Sequence, residues 1–171
     1  MKKYEFTGET KEIRLLFRTA TLHRIRATVA FGIVEVGDLG GWIEKEENLS
    51  HEGKAWVWGN AEVCGDAKVC GDAKVWGNAE VWGNAEVFSA SHVLVIGAIG
   101  SRNDFTTFYR DKDNEITVKC GCFLGKIDRF LEKVTQTHGD SKYALVYRAA
   151  VEVAKLQIDL SGEAPKDADE E

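Results

Sequence analysis

The middle of the chain keeps one apolar–polar pattern with a period of six. From Ala55 it reads AWVWGN AEVCGD AKVCGD AKVWGN AEVWGN AEVFSA. Valine recurs at Val57, Val63, Val69, Val75, Val81, Val87 and Val93, and alanine stands two residues before the first six of these. Gly-Asn or Gly-Asp follows each Val-x pair from Gly59-Asn60 to Gly83-Asn84. Alternation within A-x-V puts Ala and Val on one face of a short strand. Gly and Asn suit the tight corner that follows. No single hexad can bury its apolar face, so the pattern predicts a solenoid whose repeats stack, a β-helix with a narrow Ala/Val interior.

The flanks follow other periods. Residues 1–50 alternate, as in Leu22-His23-Arg24-Ile25-Arg26-Ala27, and break at Gly37-Asp38-Leu39-Gly40-Gly41, which predicts strands and turns forming an N-terminal β cap. Leu49 is expected in an irregular first coil. Residues 51–100 are read as the β-helix, with Ser89-Ala90-Ser91-His92 breaking the phrase and Val95–Gly100 closing it. In residues 101–160, Phe105–Tyr109 and Ile116–Cys120 flank Asp111-Lys112-Asp113-Asn114, a hairpin signal. Ile127, Phe130, Leu131 and Val134 then mark a helical stripe, and a second helix is expected from about Ser141, carrying Tyr143, Val146, Tyr147, Ala150, Val153 and Ala154. This gives a C-terminal ββαα domain. Residues 161–171 are acidic and poor in apolar residues, and are read as a disordered tail. The N-terminal strands and the hairpin are expected to cover the two coil ends.

The Val-x-Gly-Asn/Asp-Ala-x phrase resembles the hexapeptide repeat of left-handed β-helix proteins. The entry segment GDLGGWIEKEENLS (Gly37 to Ser50) resembles that of uncharacterised phage and prophage hexapeptide proteins. Ile99 to Val134, with HGDSKYALVYRAA after it, resembles a C-terminal domain of unknown function from the same source. The resemblance implies a mainly β fold, with three hexads per left-handed coil and about three coils. It also implies a host bacterial cytoplasm. Many members of the superfamily are trimeric acyltransferases that use coenzyme A.

Three hexads per coil would stack residues 18 apart. Trp58 would then lie over Trp76, Cys64 under Trp82 and Cys70 under Phe88, all outside the Ala/Val lumen. An exposed aromatic face marks an interface. Trp58, Trp76, Trp82 and Phe88 are therefore expected between subunits of a homo-oligomer, most simply a trimer, or under the chain's own C-terminal domain.

Composition narrows the functional classes. Of 171 residues 44% are hydrophobic and 29% charged, with a formal net charge of -6, which argues against a general nucleic-acid binder. No apolar run approaches the roughly 20 residues of a membrane span. The N-terminal MKKYEFTGETKEI has no apolar h-region, so no signal peptide is expected and the four cysteines are read as reduced thiols.

Catalysis by a hexapeptide acyltransferase would need a histidine as general base. Among His23, His51, His92 and His138, His92 is the best placed, at the edge of the repeat, although a solvent-facing ring is the simpler reading. Cys120-Gly121-Cys122 puts two thiols on one strand face, a weak zinc half-site without a second pair, and no metal is expected. Ser101 and Arg102 on a turn, with Thr106, Thr107 and Tyr109, make a candidate pocket for a small anionic ligand. Arg14, Arg18, His23, Arg24 and Arg26 form the one cationic concentration, suited to an anionic ligand, a neighbouring acidic face or solvent. The expected function is an oligomeric, non-catalytic phage binding protein that blocks a host defence protein or sequesters a nucleotide signal. The alternatives are an acyltransferase using acetyl-CoA or another acyl-CoA, and a structural assembly protein.

Overall fold

A computed structural model describes residues 1–162. The expected acidic tail lies almost wholly outside them. The fold is mainly β with two C-terminal helices. The chain opens with a long antiparallel hairpin, β1 (Tyr4–Arg14) and β2 (Thr19–Ala27), and β2 then pairs antiparallel with β3 (Leu39–Ile43). Six two-residue strands follow: β4 (Trp56–Val57), β5 (Glu62–Val63), β6 (Lys68–Val69), β7 (Lys74–Val75), β8 (Glu80–Val81) and β9 (Glu86–Val87).

These strands form parallel ladders, each taking every third strand. Trp56 pairs with Lys74, Glu62 with Glu80 and Lys68 with Glu86, an 18-residue step in all three. Every repeat Ala and Val from Ala55 to Val87 is at most 1% exposed and belongs to one core. The corner glycines take φ near +60°. At Gly71 a Cβ would also meet the Phe88 carbonyl oxygen at 2.6 Å, so glycine is required there twice over.

The first turn is longer. Ile43 pairs with Val63 and Leu49 with Val69, a 20-residue step, because two extra residues sit between Leu49 and Val57. Asn48 secures this irregular turn. It is fully buried, and its amide donates to the carbonyls of Ala67 (2.8 Å) and Gly65 (3.1 Å) while accepting from the Lys45 N–H (2.9 Å). Tyr4, Ile25, Ala27 and Val34 join the Ala/Val core from the N-terminal side. Trp56, which points outward beside Val57, is nonetheless 1% exposed because Tyr4 and Phe31 pack edge-on against it.

The C-terminal part differs from the expected ββαα. The segment read as the closing coil is β10 (Val93–Ile99), which leaves the ladders and pairs antiparallel with β11 (Asp104–Arg110). β12 (Ile116–Cys120) and β13 (Phe123–Lys126) complete a four-stranded sheet in the order β10-β11-β12-β13. Gly121 and Cys122 form the β12–β13 turn. Cys120 and Cys122 therefore do not share a strand face: Cys120 accepts from the Thr106 hydroxyl at 3.3 Å, and Cys122 is exposed.

Helices α1 (Ile127–His138) and α2 (Lys142–Gln157) cover one face of this sheet through Phe108, Val118, Phe130, Val134, Tyr147 and Val151. On α2 the buried stripe is Ala144, Tyr147, Ala150, Val151 and Ala154, and the expected Tyr143 and Val153 are exposed instead. The opposite sheet face meets the last ladder strands. There Tyr109 donates to the Trp82 carbonyl at 2.5 Å, and Thr107 accepts from the Glu80 N–H at 3.0 Å. Among the described residues, no helix is long and apolar enough to cross a membrane.

Candidate functional site

A cleft of about 1090 Å³ runs along one corner of the ladders, between the tip of the β1–β2 hairpin and the C-terminal domain. The hairpin reaches this corner because it is strapped along the ladder. Lys11 pairs with Glu62 at 2.7 Å and lies over the Trp42 ring at 4.6 Å. At the tip, Arg18 grips Glu44 with both terminal nitrogens (2.5 and 2.9 Å), and Glu44 also accepts the Gly65 N–H at 2.8 Å. The Arg18 hydrogen bond is the main reason that the Glu44 carboxyl is held below its ordinary range. Between these anchors, Leu15, Leu16 and Phe17 turn over the cleft.

The floor comes from two successive turns of the repeat, Cys64-Gly65-Asp66 and Trp82-Gly83-Asn84. The Lys119 ammonium sits 4.1 Å over the Trp82 ring, pairs with Glu80 at 2.9 Å and donates to the Gly121 carbonyl. Cys64 is 1% exposed, and burial pushes its thiol up to about 12, so it is a protonated packing group and not a nucleophile. The far wall is the polar face of α1, where Arg129, Glu132, Lys133 and Gln136 follow i, i+3, i+4, i+7 spacing opposite the buried Phe130 stripe. The β12–β13 turn adds Phe123 and Leu124.

Electrostatically the cleft inverts the character of the chain. Arg14, Arg18, Lys119, Arg129 and Lys133 line it against the two carboxylates Asp66 and Glu132, although the whole chain carries -6. Arg14 and Lys133 are exposed and have no ion-pair partner among the described residues. Such an excess of cations over carboxylates on a concave surface favours an anion.

The pocket expected from Ser101, Arg102, Thr106, Thr107 and Tyr109 does not form. Alternation on β11 sends Thr106 toward the helices and Thr107 and Tyr109 toward the ladders, where both hydroxyls are committed as described above. Ser101 and Arg102 stand exposed on the β10–β11 turn.

His92 is not solvent-facing. It is 6% exposed, accepts the Phe88 N–H at Nδ1 (3.1 Å), and has Nε2 3.5 Å from Arg110. Burial first, and the Arg110 charge second, hold its pKa below the ordinary histidine value. His23 stacks on Phe6, His51 on Tyr4 and His138 against Tyr147. No histidine lines the cleft. Among the described residues, no three His, Cys, Asp or Glu side chains gather as metal ligands.

The four aromatic residues expected at an interface separate. Trp58 and Trp76 stack with centroids 4.8 Å apart and planes at 5°, and Trp76 is 47% exposed. Trp82 lies under Lys119, and Phe88 packs against His92 and Arg110, so the chain's own C-terminal domain meets both. The cationic run is likewise divided: Arg26 pairs with Glu5, Arg24 lies over Trp42, Arg18 holds Glu44, and Arg14 faces the cleft.

Sequence reasoning missed Lys119, Arg129 and Lys133. The signal available was the basic i, i+4 pair on α1 and the apolar triplet between Arg14 and Arg18, where strand alternation stops. No protein-family model matches this chain, and no curated protein matches it.

Proposed function

We propose that this chain is a non-catalytic binding protein of phage or prophage origin that holds a small anionic ligand, most simply a nucleotide signal of the host, in the cleft beside Trp82. The observation that carries this reading is the gathering of five cationic side chains on one concave surface of an acidic chain. An anion there meets Arg14 and Lys133, both free of acidic partners among the described residues, while Arg18 and Lys119 are already fixed by Glu44 and Glu80. Arg18 and Lys119 need no reordering to face an anion, which lowers the entropic cost of association.

The scaffold belongs to the same proposal. The 18-residue ladder step, the buried Ala/Val columns and the left-handed-φ corner glycines support a short left-handed β-helix. The half-exposed Trp76, stacked on Trp58, supports self-association; a trimer in the host cytoplasm is part of the proposal. The acyltransferase reading has less behind it, because no histidine lines the cleft and His92 is buried in the C-terminal junction.

Calorimetric titration with ADP and GDP at low and high salt tests the binding reading. Saturable binding that weakens with salt, and weakens again in Arg14→Glu and Lys133→Glu, is the expected result. Heat no different from buffer dilution for both nucleotides would reject it.

A further inference from the structure

We infer that the cleft selects a two-part ligand, an anionic group joined to a flat apolar body, and that the tip of the β1–β2 hairpin is the arm that covers the body. This rests on the cleft being a ligand site and adds the ligand chemistry and the residues that choose it.

Leu16 is 79% and Phe17 93% exposed, yet both line a concave space and not a convex face. The facing side offers Leu124, 44% exposed, and the half-buried Trp82. Apolar side chains from the tip and from the C-terminal side therefore line one space together with the cations. The tip is held in place: the Leu15 N–H donates to the Arg18 carbonyl at 2.8 Å, and Arg18 is fixed to Glu44. A bare anion would satisfy Arg14 and Lys133 but leave Leu16, Phe17 and Leu124 in water. An uncharged ring would cover those side chains but leave the cations without a counter-charge. An anion carrying a ring meets both demands, and a cleft of about 1090 Å³ is large enough for a nucleotide-sized molecule. Leu16 and Phe17 flanked by arginines would also suit an anionic bilayer, but their place on a cavity wall opposite Leu124 favours a small ligand.

The test compares ADP, GDP, pyrophosphate and adenosine by calorimetry on the full chain, beside Phe17→Ser and Lys133→Glu. Phe17 is so exposed that its loss leaves the fold intact, which melting curves verify. The better of ADP and GDP should bind about tenfold or more tighter than pyrophosphate or adenosine, the worth of covering one apolar side chain. Phe17→Ser should remove about that factor for the nucleotide and leave pyrophosphate unchanged, whereas Lys133→Glu should weaken both. Equal affinity for pyrophosphate and nucleotides, unaltered by Phe17→Ser, would overturn the clamp and leave the anion site standing. If none of the four probes binds, the ligand site itself is rejected. Co-sedimentation with phosphatidylserine vesicles that is lost in Phe17→Ser, without nucleotide binding, would assign the tip to a membrane surface instead.

Discussion

Replacing Asp111 by asparagine tests how the C-terminal domain is fastened to the repeat. Asp111 is 3% exposed. One carboxylate oxygen accepts the N–H groups of Asp113 (2.9 Å) and Glu115 (3.2 Å), and the other accepts from Thr117 (2.6 Å) and Lys126 (2.7 Å). The same loop docks on the last ladder turn, where Lys112 donates to the Asn84 carbonyl at 3.0 Å. An asparagine oriented to keep both backbone bonds turns its NH2 toward Thr117 and Lys126. Thr117 can reverse its hydroxyl and accept, but Lys126 cannot accept. One charge-assisted bond is lost, and Lys126 recovers part of it from water, Asp113 and Glu115.

Asp111→Asn should therefore cost about 2 kcal/mol, and Asp111→Ala, which strands two N–H groups and a hydroxyl, about 3–5 kcal/mol. The pH dependence has a definite sign. Burial works to raise the Asp111 pKa, but the bonds from Lys126, Thr117 and the two N–H groups outweigh it, so the folded value lies below the ordinary 3.8. The charge thus contributes stability that is complete above about pH 5 and is lost as pH falls through the folded value. Urea unfolding followed by tryptophan fluorescence at pH 7 and pH 3 measures this. Equal losses for the two variants, or an Asn deficit undiminished in acid, would refute the reasoning.

Three further outcomes are expected. Gly71→Ala should cost about 3 kcal/mol or more, through positive φ plus the Phe88 carbonyl, whereas Gly77→Ala, with nothing within 4 Å of the new methyl, should cost about 1 kcal/mol; denaturant midpoints compare them. Burial lowers the Lys3 pKa from 10.5 to about 8, with its ammonium donating to the Ala55 carbonyl at 2.8 Å. The folded chain then releases this proton first, so wild type should gain stability on Lys3→Met as pH rises from 8 to 10.5, read from denaturant midpoints at the two pH values. On the proposed self-association, Trp76→Arg should lower the native mass to that of one chain; an unchanged mass by sedimentation would reject Trp76 as the contact.

The repeat was readable because its physics is local. Each Ala-x-Val needs only its own alternation and the next turn, and the 18-residue step follows from three hexads. Trp56 was not readable, since its outward position becomes interior only when Tyr4 and Phe31, some 50 and 25 residues upstream, fold onto it. Val93–Ile99 continues the apolar rhythm of the repeat, but Tyr109 and Phe108 offer a better antiparallel partner than another turn would. The cleft was hidden for the same reason. Arg14, Trp82, Lys119 and Lys133 come from four separate segments, and only their meeting has meaning. The segment from Ser101 to Tyr109 misled in the opposite way: its residues are neighbours in sequence, yet Ser101 and Arg102 stay exposed on the turn while strand alternation sends Thr106 to one face of β11 and Thr107 and Tyr109 to the other.

The hairpin tip is moored at Glu44 on the first turn, whereas the opposing wall is moored through Glu80, Trp82 and Asn84 on the last. Width is therefore metered by how many windings lie between the moorings. Splicing in one extra 18-residue unit at the regular middle would part the walls by about one strand spacing, roughly 4.8 Å, with every local contact preserved. A lineage of such chains could change the width of this cleft by duplicating a unit, without altering any residue that lines it.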